Sequence, residues 1–251
     1  MSSQDSSSQL GGQDRSDTKS WSIPVTILIG FAGFIMSNAV AFVIAVIGLK
    51  LFGGDYSKNI FFNFGLLIMS DLAFLSVIFW YLRSANMGPR DLGLIKRIKI
   101  SNILLVIVAG LAYVILTAVL SLLVKILFPS IDLTQEQAIA FTKAIGPIEK
   151  VFAAVALLVI APIAEELIFR GFVFRGFRKQ LGFFGAAVVS SIFFGLIHGQ
   201  INVALDTFAL GMMLCYLYEK TESIWPSIML HSLKNGIAFY LLFFTTISAL
   251  W

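Results

Sequence analysis

The chain has 251 residues, of which 58% are hydrophobic and only 13% charged. Soluble domains are about half apolar and about a quarter charged, so this composition excludes a water-soluble enzyme and predicts an integral membrane protein embedded in a lipid bilayer. The net charge of +4 invites a nucleic-acid partner, but the basic residues cluster in loops beside apolar segments, where membrane orientation accounts for them, so none is expected.

Residues 1–20 are polar and rich in Ser, Gln and Asp, a composition that predicts a disordered tail. They lack the basic start and short apolar core of a secretory signal, and the apolar segment that follows is long enough to be a retained span. A spanning helix needs about 20 apolar residues. Segments of suitable character run over 22–49, 60–82, 102–128, 151–180, 183–199, 201–218, 223–234 and 236–251. They predict an all-α, polytopic membrane bundle of about eight transmembrane segments. The segment 223–234 carries Trp225-Pro226 and reads as a half-span or tilted helix. The chain divides into the tail at 1–20, N-terminal spans over 22–128 and a C-terminal helical core over 129–251.

Loop charge sets the orientation. Arg83, Arg90, Lys96, Arg97 and Lys99 follow the second segment, and Arg170, Arg175, Arg178 and Lys179 lie near the end of the fourth. The positive-inside bias places both stretches in the cytoplasm and the loop 129–150 outside. Eight spans would then return both termini to the cytoplasm of a bacterial-type plasma membrane. Cys215 is the single cysteine, which excludes an intrachain disulfide, and it reads as a small buried hydrophobe.

The chemistry concentrates in the C-terminal half. Glu165 and Glu166 stand side by side in an apolar run, followed by Arg170, and the two histidines, His198 and His231, each lie in an apolar segment with Asn202 and Asn235 four residues on. Ionisable groups at membrane depth are costly and usually mark function. Glu166 and Arg170 are i,i+4 in the order that favours a helical ion pair. Glu165 points about 100° away, with no such partner, and is the freer carboxylate. Glu165 and His198 are 33 residues apart with their midpoint at Leu181–Gly182. A hairpin folded there puts both roughly 25 Å from the turn, at about 1.5 Å per residue. An imidazole and an amide one turn apart, His231 and Asn235, form a donor pair suited to a developing oxyanion.

Blander readings compete. The Glu/Arg group can be only a buried ion pair, and isolated histidines in membrane helices are commonly interhelical hydrogen-bond partners. Arg175, Arg178 and Lys179 read as snorkelling anchors. Asp71 lies mid-span as a bundling or substrate-path residue, and Asn202 and Asp206 as supports for the site.

Three motifs carry a resemblance. Glu165-Glu166-Leu-Ile-Phe-Arg170, Phe194-Gly-Leu-Ile-His198 and His231-Ser-Leu-Lys-Asn235 occur in order. The set resembles the CPBP or Abi family, which is similar to the type II CAAX prenyl endopeptidases. The resemblance implies an intramembrane endopeptidase with its helical core over 129–251, acting on a membrane-associated protein or peptide. In it Glu165 activates water with help from His198, His231 and Asn235 stabilise the oxyanion, and Glu166 and Arg170 support the geometry. Metal use stays open. There is no His-Glu-x-x-His signature, yet Glu165, His198 and His231 offer a Zn2+ ligand set with an open fourth position. A bacteriocin-immunity or scaffold protein that keeps the motifs is the alternative. A transporter is the third reading, against which stands the lack of an internal repeat.

Overall fold

The computed structural model describes residues 19, 21–54, 59–94, 99–131 and 146–244. The expected tail at 1–20 therefore lies, except for Lys19, outside the described residues, as do 245–251 of the last expected segment. The described chain is all-α: α1 (Ile23–Phe52), α2 (Ile60–Ser84), α3 (Ile100–Leu127), α4 (Pro147–Leu196), α5 (Ile201–Thr221) and α6 (Trp225–Phe244), with a 3-10 turn at Pro89–Leu92. All six helices are long and apolar enough to cross a membrane. Helices answer the constraint of lipid, because every backbone polar group is satisfied within the segment.

Local chemistry sets the boundaries. α1 begins at a proline in its first turn and stops at Gly53, whose φ is 68°. The Asn59 side chain caps α2 by accepting from the Phe62 N–H at 3.1 Å. Between α2 and α3, Gly93 turns the chain with φ 83°, and a Cβ there would stand 2.8 Å from the Tyr218 ring. Glycine is thus required for backbone and space alike.

α4 is the central element and is not uniform. Two π-helical segments, Ala156–Ile160 and Leu167–Phe174, flank the α-helical turn Ala161–Glu166. It then bends at Gly182 (φ 69°, ψ −177°), giving two limbs. The limbs pack antiparallel. Ser190 Oγ donates to the Phe169 carbonyl at 3.0 Å, the Phe169 and Phe194 rings lie 5.0 Å apart, and Phe174 meets Phe183 edge-on. This is the hairpin expected from the Glu165–His198 spacing. The second limb, 183–196, is only about 20 Å long at about 1.5 Å per residue, short of a hydrocarbon core about 30 Å thick. The irregular turn at His198–Gln200 therefore lies at membrane depth, where such backbone is tolerated only inside protein or beside a cavity.

The core follows α4. Phe172 is fully buried, stacked on Trp21 at 4.9 Å and edge-on to Tyr81 at 6.0 Å. α1 and α3 turn large side chains outward, among them Leu28, Phe31, Phe42, Leu104, Leu111 and Ile115, as lipid-facing helices do.

One end of the bundle gathers the basic stretches. Lys19 Nζ donates to the Asn86 carbonyl at 2.9 Å, Arg175 donates to the Asp91 carbonyl, and Trp225 Nε1 donates to the Leu94 carbonyl at 3.1 Å. Arg178 forms a two-pronged pair with Glu219 at 3.0 and 2.6 Å. The loop after α2 and the stretch before the Gly182 bend therefore share one face, as their charge requires.

The last two expected segments differ from the structure. The expected break between them falls at Asn235, but α6 runs through it unbroken. A helical glycine costs only about 1 kcal/mol relative to alanine, and the polar residues around it find partners on neighbouring helices. With the two α4 limbs counted separately, the described residues form seven rods, close to the expected eight. The odd count puts Phe244, over which Lys150 Nζ lies at 5.1 Å, at the end opposite Lys19. The expectation of both termini on one face concerns residues 1–18 and 245–251, which lie outside the described residues.

Candidate active site

The site grows out of the irregular stretch of α4. Pro162 has no N–H, so a helix widened to i→i+5 bonding leaves the Leu157 carbonyl without its donor. Ala161 donates to the Ala156 carbonyl in this wider pattern. Asn235 Nδ2, reaching across from α6, donates to the Leu157 carbonyl at 3.0 Å. This contact ties α6 to α4 about two turns before the Glu pair.

Glu166 is wholly buried, and its Oε1 accepts from Arg170 Nη1 at 2.7 Å and faces His231 Nδ1 at 2.8 Å. Arg170 is equally buried, and His231 is 3% exposed. The carboxylate only accepts, so Nδ1 of His231 carries a proton. The Arg170 guanidinium lies over the Phe194 ring at 4.3 Å, and both histidine rings meet that ring edge-on, His198 at 5.3 Å and His231 at 5.7 Å. Phe194 is thus the hub that spaces the polar groups. Gly211 on α5 makes room, since a Cβ there would come 3.2 Å from Arg170 Nη2 and 2.7 Å from Ser191 Oγ.

Glu165 differs from its neighbour. Its side chain is 14% exposed and its Oε2 stands 3.6 Å from His231 Nε2. Of the two carboxylates, Glu166 is neutralised by Arg170 and Glu165 is open, the division that the helical faces predicted. His198 Nδ1 lies 2.8 Å from the Phe194 carbonyl. A carbonyl only accepts, so the proton sits on Nδ1, and in the neutral ring Nε2 carries the lone pair. Gly195 permits this arrangement by letting the second limb of α4 approach α5, because a Cβ there would strike the Ala204 carbonyl at 2.8 Å.

The other expected residues fall in distinct places. Asn202 accepts from the Val203 N–H at 2.9 Å at the start of α5. Asp206 binds Tyr113 of α3 at 2.5 Å and Lys234 of α6 at 2.9 Å. Asp71 on α2 holds one buried oxygen without a hydrogen-bond partner. Cys215 is buried, as expected. Sequence reasoning did not single out Phe194 as a hub, Gly211, Tyr113 or Lys234. The signal for Lys234 was its place three residues after His231 on one helical face.

The donors considered for Zn2+, Glu165, His198 and His231, are not gathered here: among the described residues no three His, Cys, Asp or Glu side chains come together to hold an ion. No step below runs through a metal.

The fold is that of a multi-pass membrane protein, with its most buried charges converging on one carboxylate next to a second, open one. Residues 147–237 match the family described as Rce1-like, type II CAAX prenyl endopeptidase Rce1-like. A protein of Bacillus subtilis (strain 168) named "Putative membrane peptidase YdiL" is 35% identical over 77 residues, 31% of this chain and 32% of that one. The chain thus spans about a third of the length of this curated relative. No solved structure matches. The family match falls on the stretch of the chain that carries the three motifs. The family match opens at the first residue of α4 and closes just past Asn235, so it takes in Glu165, Glu166, Arg170, His198, His231 and Asn235 and leaves out α1–α3.

Proposed function

We propose that the chain is an intramembrane endopeptidase that hydrolyses a peptide bond of a membrane-associated protein or peptide, with CAAX-type prenylated proteins as the first substrate class to try. The reading rests above all on the asymmetry of the Glu pair: Glu166 is fully buried against Arg170, while Glu165 is partly open. An open carboxylate at membrane depth suits a general base. Glu165 takes a proton from water, and the lone pair on His198 Nε2 orients that water. Glu166 and Arg170 fix His231, and the second N–H of Asn235 is assigned to the carbonyl oxygen, joined by His231 when its Nε2 is also protonated. The substrate chain enters from the bilayer. The basic end of the bundle faces the cytoplasm of a bacterial-type plasma membrane.

An immunity or scaffold protein that keeps these residues is the competing reading, since the Glu166–Arg170–His231 group also locks α4 to α6. A terminal-peptide mass-spectrometry comparison separates the two, using membranes of cells making wild type or Glu165→Gln at matched levels. The peptidase reading expects protein ends that appear only with wild type. Identical ends in both membranes would favour the scaffold.

A further inference from the structure

The groups assigned to the carbonyl oxygen are partly committed elsewhere. Asn235 gives one N–H to the Leu157 carbonyl, and His231 is clamped between the two glutamates. Neither carries a free positive charge toward the site. Arg170 is a cation, but it is wholly buried behind Glu166. Lys234 is different. It follows His231 by three residues on α6, is 24% exposed, and binds Asp206 Oδ2 at 2.9 Å. It stands between His231 and Asn235 on one stretch of α6, the helix that carries both groups assigned to the carbonyl oxygen.

The lysine is held by design of the surrounding helices. Asp206 Oδ1 accepts from Tyr113 Oη at 2.5 Å, leaving Oδ2 for Lys234. One carboxylate therefore joins α3, α5 and α6. An ammonium has three N–H donors, and Asp206 occupies one.

We propose that the Lys234 ammonium, positioned by Asp206 and Tyr113, stabilises the oxyanion of the tetrahedral intermediate. The inference rests on the hydrolytic reading above. In the step, the water oxygen bonds to the carbonyl carbon and its proton passes to Glu165. The carbonyl π electrons move onto oxygen, creating a negative charge beside Lys234. Collapse re-forms the carbonyl, breaks the C–N bond and passes the Glu165 proton to the leaving nitrogen. A fixed cation acts most strongly on charge that appears only in this intermediate, so its loss lowers kcat rather than substrate affinity.

The test uses the purified full chain in proteoliposomes with an internally quenched farnesylated CAAX peptide. If that is uncut, a peptide spanning a wild-type-dependent end from the membrane comparison replaces it. Lys234→Met is expected to lower kcat about 100-fold with KM within about twofold. Lys234→Arg is expected to recover at least about a tenth of the lost rate, and Asp206→Asn and Tyr113→Phe to fall between. Unchanged kcat in Lys234→Met overturns the proposal. A rise in KM alone overturns it in favour of substrate binding. Equal inactivity of Lys234→Met and Lys234→Arg, with lowered thermal unfolding in both, overturns it in favour of a structural ion pair. Wild type that cuts no more than Glu165→Gln removes the hydrolytic reading itself, and this inference with it.

Discussion

Asn235 donates its side-chain amide to the Leu157 carbonyl at 3.0 Å, and Pro162 explains why that carbonyl is available. The proline cannot donate, the helix widens, and a side chain from another helix supplies the missing hydrogen bond. Asn235→Ala should therefore cost about 1–3 kcal/mol, the penalty of a buried polar group left unpaired. Pro162→Ala restores an N–H on α4, so the double variant should be more stable than the sum of the single effects predicts. Thermal unfolding of the four proteins in one detergent checks this. Strict additivity would mean that the two residues do not share the carbonyl.

Loss of the Glu165 charge and loss of the cation paired with Glu166 should have opposite effects on folding and cleavage. Arg170→Met strands the Glu166 carboxylate in a dry interior and should destabilise the protein by about 3–5 kcal/mol, lowering the folded yield. Glu165→Gln, at the partly open position, should leave the unfolding temperature close to wild type while abolishing cleavage. Size-exclusion profiles and melting curves of both variants test the division. A well-folded Arg170→Met protein would contradict it.

No three side chains are arranged as a metal site among the described residues. Cleavage by the purified protein should therefore persist within about twofold after treatment with 1,10-phenanthroline or EDTA, because affinity for a three-ligand Zn2+ centre depends on its gathered donors. Loss of activity that added Zn2+ restores would show that the donors rearrange around an ion.

The ends of the described chain lie on opposite faces of the bundle, since Lys19 meets Asn86 while Phe244 meets Lys150. In a Cys215→Ala background, a cysteine at Lys19 should react with membrane-impermeant maleimide from the cytoplasmic side and one at Phe244 from the other. Labelling of both from one side would restore the split of α6.

Much of this was legible in the sequence, for identifiable reasons. The Gly182 bend could be placed because Glu165 and His198 are equidistant from a glycine that follows a basic stretch. The Glu166–Arg170 pair could be placed because i,i+4 spacing survives even in a widened helix. The continuity of α6 was hidden, because Asn235-Gly236 carries the composition of a turn and the partners that hold it in a helix come from α4 and α5. Both π segments were hidden too. Apolar periodicity reports which side chains face inward, not which backbone carbonyl has lost its donor, although for the first segment Pro162 was the visible cause. The convergence of Arg170, His198 and His231 on one ring was out of reach, since the residues span α4 and α6 and only packing brings them together.

The central claim is that Glu165 activates water for peptide hydrolysis. Its most direct test reconstitutes purified wild type and Glu165→Gln in proteoliposomes and follows cleavage of a peptide taken from a wild-type-dependent protein end in H2(18)O. The account predicts cleavage by wild type, with one 18O in the new carboxylate, and a rate lower by at least about 100-fold in the folded variant. Cleavage by Glu165→Gln at the wild-type rate would contradict it.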